Sequence, residues 1–106
     1  MNAKVVRWTP LANDSLEKII KYLEENWTEK EIKNFLFLVN STVLRLSKHP
    51  ETSIAISGKI FRRAIVDKNN SLIFKITADS IIILYVFDNR QNPNKLKQIT
   101  RTNKIS

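Results

Sequence analysis

Four cations define the chemistry that this sequence offers. Arg62 and Arg63 stand side by side, Lys75 lies between Phe74 and Ile76, and Arg90 follows Phe87-Asp88-Asn89. Guanidinium and ammonium groups brought together can hold a phosphate, a nucleic-acid backbone or an acidic peptide. Without such a partner they repel one another. Successive strand residues point to opposite faces, so only one of Arg62 and Arg63 can share a face with Lys75. The other falls near an edge or under a loop. Asn92 and Lys95, just beyond Arg90, extend the candidate partner- or nucleic-acid-binding surface. For Arg90, an ion pair with Asp88 or Asp67 is the structural alternative.

Other chemistry is poorly supplied. His49 is the one histidine, set between Lys48 and Pro50 at a predicted helix end, where it complements the helix dipole. The absence of Cys removes thiol nucleophiles, disulfides and thiolate ligands. No metal or cofactor is expected. The single glycine, Gly58, excludes a glycine-rich phosphate loop. Tyr85 reads as core. Glu24, Glu25, Glu29 and Glu31 read as solvated or capping charges on helices. Trp8 and Trp27 are expected as core or inter-element contacts, not as stacking platforms.

The charge balance points the same way as the four cations. Lys and Arg number 18 against 10 Asp and Glu, a net charge of +8 over 106 residues. Residues 1–50 hold eight basic and six acidic residues, while 51–106 hold ten and four. The second half is therefore the part suited to a polyanion or an acidic protein. No apolar run approaches the roughly 20 residues of a membrane span, so no membrane partner is expected.

These residues need elements to position them. Residues 4–8 read as a short strand. Thr9-Pro10 starts a helix, with Thr as cap and Pro at the first helical position. Ala12, Leu16, Ile19, Ile20, Leu23 and Trp27 then recur at helical spacing. Thr28 and Glu31 form a capping box for a second helix, with Glu31 reaching back to the Thr28 N–H. Its stripe is Ile32, Phe35, Leu36, Val39, Val43 and Leu46, and Pro50 ends it. Two helices with almost no linker fold back as a hairpin. Residues 51–58 read as a loop. The period then becomes two, predicting strands over 59–66, 71–77 and 81–87 joined by short turns, the last one apolar on both faces and central. The expected fold is α+β, in the order β-α-α-β-β-β. A helical hairpin packs on one face of a small antiparallel sheet, and the more open reverse face carries Arg62, Lys75 and Arg90. One domain is expected over 1–97, with a short helix near Lys95 and a polar, flexible tail over 98–106.

Several segments in order resemble the RelE/ParE superfamily of bacterial type II toxin–antitoxin toxins. They are Arg7-Trp8-Thr9-Pro10-Leu11-Ala12 with Leu16, Ile19 and Tyr22-Leu23, then Trp27-Thr28, then Leu46-Ser47-Lys48-His49-Pro50. Phe74-Lys75 and Phe87-Asp88-Asn89-Arg90-Gln91-Asn92-Pro93 complete the match over about residues 5–97. The resemblance implies a cytoplasmic toxin held inactive by a cognate antitoxin, which wraps it with a helix or extended segment and through which it oligomerises. It implies one of two activities. One branch cuts ribosome-bound mRNA without metal, and the other poisons DNA gyrase. On positions matching the nuclease branch the chain offers Arg62 or Arg63, Lys75 and Arg90. After Arg90 it has neither Tyr nor His to serve as proton donor. Gyrase or another non-nucleolytic target is therefore expected ahead of an mRNA endoribonuclease. An inactive antitoxin-binding module is the remaining alternative.

Overall fold

A computed structural model describes residues 3–57 and 60–89. Strand β1 (Val5–Trp8) leads into α1 (Pro10–Asn26) and α2 (Glu29–Lys48). A one-turn 3-10 helix (Pro50–Thr52) follows, then β2 (Ile54–Ser57), β3 (Phe61–Ile65), β4 (Asn70–Ile76) and β5 (Ser80–Asp88).

The helix starts form as their residues dictate. Thr9 Oγ1 accepts the Ala12 N–H at 3.1 Å, and Pro10 opens α1. Thr28 Oγ1 accepts the Glu31 N–H at 3.4 Å. The reciprocal half of the capping box differs from expectation, because the Glu31 carboxylate takes the Thr28 hydroxyl at 3.3 Å instead of the backbone N–H. Only Trp27 and Thr28 separate the helices.

The sheet runs β1-β5-β4-β3-β2. It differs from the expected sheet in three ways. Residues 54–57, read as loop, form an edge strand antiparallel to β3. Ile-Ala-Ile-Ser is too short to show alternation, and its conformation comes from pairing with β3. The sheet is also mixed, because β1 runs parallel to β5. The helical hairpin is the crossover that makes this possible, as parallel neighbours need a long connection. Strand β5 lies inside the sheet, but β4 takes the central place.

Each face of the sheet carries a buried cluster. On the helix side Leu72, Phe74, Ile81, Ile83 and Val86 pack with Ala12, Phe35, Val39 and Leu46. On the reverse side Phe61, Ile73, Leu84 and Phe87 form a second cluster, each at most 2% exposed. The expectation of an open reverse face is corrected by this cluster. Large apolar residues on β3, β4 and β5 alternate onto that side and withdraw from water.

A β-bulge links the two layers. Ile73 pairs with Tyr85 but Phe74 pairs with Ile83, leaving Leu84 as the extra residue. The bulge lies beyond the end of β1, where β5 has lost its parallel neighbour. There the Val86 N–H donates to Ser15 Oγ of α1 at 2.8 Å, and that hydroxyl donates to Ala12 O at 2.8 Å. Ser15 is buried, 5% exposed. Ser15→Ala is expected to cost about 1–3 kcal/mol, the penalty for an orphaned buried donor. Urea unfolding checks this, and a change below about 0.5 kcal/mol would show that the bulge finds another acceptor.

Candidate functional site

The register decides where each cation goes. Paired residues in neighbouring strands share a face. Arg62 pairs with Phe74, which faces the helices, and Arg63 pairs with Ile73, which faces away. Lys75 pairs with Phe61 and with Ile82 on that same reverse face. Arg63, not Arg62, is thus the partner of Lys75. The expectation that Arg62 stands on the reverse face is corrected, while the rule that only one of the two can do so holds.

The guanidiniums of Arg62 and Arg63 are both used within the chain. Arg62 donates from Nε to Ser53 Oγ at 2.6 Å and from Nη2 to Ser53 O, so it is tied to the segment after the 3-10 turn. Arg63 donates from Nε to Ser71 Oγ at 3.1 Å and from Nη2 to Asn89 Oδ1 at 2.7 Å. The Ser71 hydroxyl donates to the same Asn89 oxygen at 2.6 Å. The Arg63 guanidinium also lies 5.9 Å from the Phe87 ring centroid, a cation–π contact. These contacts join the ends of β3, β4 and β5. Lys75 is half-buried and, among the described residues, makes no hydrogen bond or ion pair. Arg90, Asn92 and Lys95 lie outside the described residues, as do the predicted short helix and the tail.

Two other sequence readings find their places. His49 closes α2 and lies 3.5 Å from the Glu51 carboxylate, both side chains well exposed. Trp8 packs against the helix-side core. Trp27 differs from expectation. It is 51% exposed, as is Tyr22. Both line a groove of about 990 Å³ between the helical hairpin, the β3–β4 turn and the end of β5. Ile19, Leu23, Phe35 and Leu38 supply its apolar wall, and Lys18, Lys68, Glu31, Asp67 and Asp88 are its charges. The groove exists because β1 covers β5 only over Ser80–Ile83, so the hairpin tip reaches past the covered part of the sheet. Sequence reading missed it. The available signal was that Trp27 falls in the two-residue link, where a side chain has few neighbours to bury it.

The geometry can therefore do two things. The groove can seat an apolar stripe, and the reverse face can present Lys75 to an anion. No helix of the described residues is long and apolar enough to cross a membrane.

Comparison with known proteins gives the relationship. The model of the ParE toxin of type II toxin–antitoxin systems matches residues 6–93. The chain belongs to the ParE toxin family. It is accordingly a type II toxin, and its two helices on a five-stranded mixed sheet are the architecture of that family. Among solved structures, the chromosomal ParDE system of P. aeruginosa superposes with a TM-score of 0.68 at 15% identity, covering 81% of this chain and 96% of that one. A copper-bound mutant toxin from Helicobacter pylori gives a TM-score of 0.59 at 18% identity, covering 81% and 94%. At these identities the likeness is one of fold. No protein of curated function matches the sequence.

Proposed function

We propose that this ParE-family toxin acts in the cytoplasm, is restrained by a cognate antitoxin, and poisons DNA gyrase without cutting mRNA. The observation that carries the choice of target is the division of the strand cations. Metal-free RNA cleavage needs several cations converging on one phosphate, with a group positioned to donate a proton. Here Arg62 and Arg63 lie on opposite faces, and both spend donors on their own chain. Among the described strand cations, Lys75 and Arg7, which share the reverse face across Ile82, make no hydrogen bond or ion pair within the described residues. A surface that binds a protein target requires no such convergence.

The antitoxin is proposed to be acidic, complementing the +8 chain. It would lay the apolar face of a helix in the groove against Tyr22 and Trp27, and oligomerisation would run through it. Exposed aromatics in a groove are the usual anchors of such contacts.

Purified toxin assayed for inhibition of gyrase supercoiling tests the target, alongside primer extension on transcripts from induced cells. Loss of supercoiling with unbroken transcripts is expected. Transcripts cut at discrete sites, with supercoiling untouched, would reject the gyrase reading. For the partner, Trp27→Glu is expected to leave growth arrest intact while weakening rescue by the co-expressed antitoxin at least tenfold. Full rescue of that variant would remove the groove from the interface.

A further inference from the structure

The register places a further cation beside Lys75. Strand β1 pairs Arg7 with Ile82 of β5, and Lys75 of β4 pairs with the same Ile82. Paired residues share a face, so Arg7, Ile82, Lys75 and Phe61 form one row across β1, β5, β4 and β3 on the reverse side of the sheet. Arg7 and Lys75 stand two strand spacings apart, about 10 Å between backbones. Arg7 is exposed, while Ile82 and Lys75 are half-buried. Arg63 adds a third positive charge to the same face, although its donors go to Ser71 and Asn89.

No carboxylate of the sheet answers these charges. All ten Asp and Glu of the chain lie elsewhere, on the helices, at Glu51 in the 3-10 turn, at Asp67 and Asp79 in the hairpin turns, and at Asp88 opposite Asn70 on the helix side. Asp79 already accepts the Ser80 hydroxyl at 3.0 Å. Lys4 adds charge at that end, its ammonium donating to Thr77 O and Ala78 O at 2.9 and 2.8 Å. A face with cations and no acids is suited to a polyanion.

The surroundings select among polyanions. Single-stranded nucleic acid is held in large part by stacking its bases on accessible rings. Here the rings are withdrawn, with Phe61 and Phe87 2% exposed and Tyr85 packed against their cluster. The exposed Tyr22, Trp27 and Phe37 belong to the helical hairpin. An extended acidic peptide brings backbone N–H groups that need acceptors, and a sheet face, whose carbonyls are spent in the ladder, offers none. A duplex asks only for cations along its backbone.

We propose that Arg7 and Lys75 clamp the phosphate backbone of duplex DNA against the reverse face of the sheet, without reading its sequence. No acid or histidine stands in the row to move a proton, so a bound phosphodiester stays intact. The site is separate from the groove at the hairpin tip. Binding requires no gyrase, so it stands or falls apart from the choice of target.

The probe is a fluorescein-labelled DNA duplex of about 20 base pairs, titrated with the whole chain and read by anisotropy between about 50 and 200 mM salt. Affinity is expected to fall steeply with salt and to be the same for a second duplex of unrelated sequence. Arg7→Glu and Lys75→Glu are each expected to weaken binding at least tenfold. Arg7→Gln and Lys75→Gln should each lower the slope of log affinity against log salt by about one. Lys30→Glu makes the same charge change as Lys75→Glu on an exposed position of α2 and should alter affinity less than about twofold. Should a charge reversal fail to melt cooperatively, the glutamine variants carry the test. Equal weakening by Lys30→Glu would overturn the proposal, since net charge alone would then hold the DNA. So would tighter binding of the single strand than of the duplex, which would give the face to unpaired nucleic acid. Polyglutamate bound more tightly than the duplex at equal charge would give it to an acidic protein instead. Absence of duplex binding at about 50 mM salt would end it.

Discussion

Phe74→Ala is expected to lower the unfolding free energy by about 3–5 kcal/mol, the range for deleting a buried aromatic side chain. Phe74 is fully buried in β4, the middle strand, and belongs to the cluster that holds Phe35 and Val39 of α2 to the sheet. Collapse around the vacancy is restricted, because its strand neighbours on that face, Leu72 and Ile83, are themselves fully buried. In a domain of this size the melting temperature should fall by more than about 10 °C. Denaturant unfolding at 25 °C is the direct measurement. A loss under about 1.5 kcal/mol would mean that the helical layer can repack without its central aromatic, and the single-core account of the helix side would be wrong.

Arg63→Ala should cost about 2–3 kcal/mol, whereas Lys75→Ala should change stability by less than about 0.5 kcal/mol. The two cations share a face, yet their surroundings differ. Removing Arg63 deprives the buried Ser71 hydroxyl and the Asn89 carbonyl of a charged donor, and strips the contact over Phe87. Its alkyl stem is lost as well. Lys75 makes no comparable contact among the described residues. Toxicity should divide in the opposite sense. Lys75→Glu is expected to abolish growth arrest with melting nearly unchanged, because the side chain has no structural bond to lose. Should Arg63→Ala melt like the parent protein while arrest disappears, Arg63 is a contact residue and the strand latch described above is not structural.

Both expectations depend on a distinction that alternation along the chain could not make. Arg62-Arg63 showed that one guanidinium must face each way. Which one joined Lys75 depended on how β3 pairs with β4, and a slip of one residue exchanges them. The same is true of the reverse face. Phe61, Ile73 and Phe87 were legible as strand residues, but their burial depends on the assembled sheet. Trp27 was misread for the converse reason. An apolar residue at helical spacing suggests core, yet it lies at the hairpin tip, where the sheet it would pack on has lost its outer strand.

The residues themselves determined the helix starts at Thr9-Pro10 and Thr28, the stop at Pro50, the three longer strands, and the family through motifs spread along the chain. These signals are local, because caps, breakers and side-chain period act within a few residues of one another. Tertiary structure alone decided the parallel pairing of β1 with β5, the existence of β2, the face taken by each arginine and the groove beside Trp27. Each of these depends on hydrogen bonds or packing between segments far apart in the chain, and no short stretch of sequence carries that information.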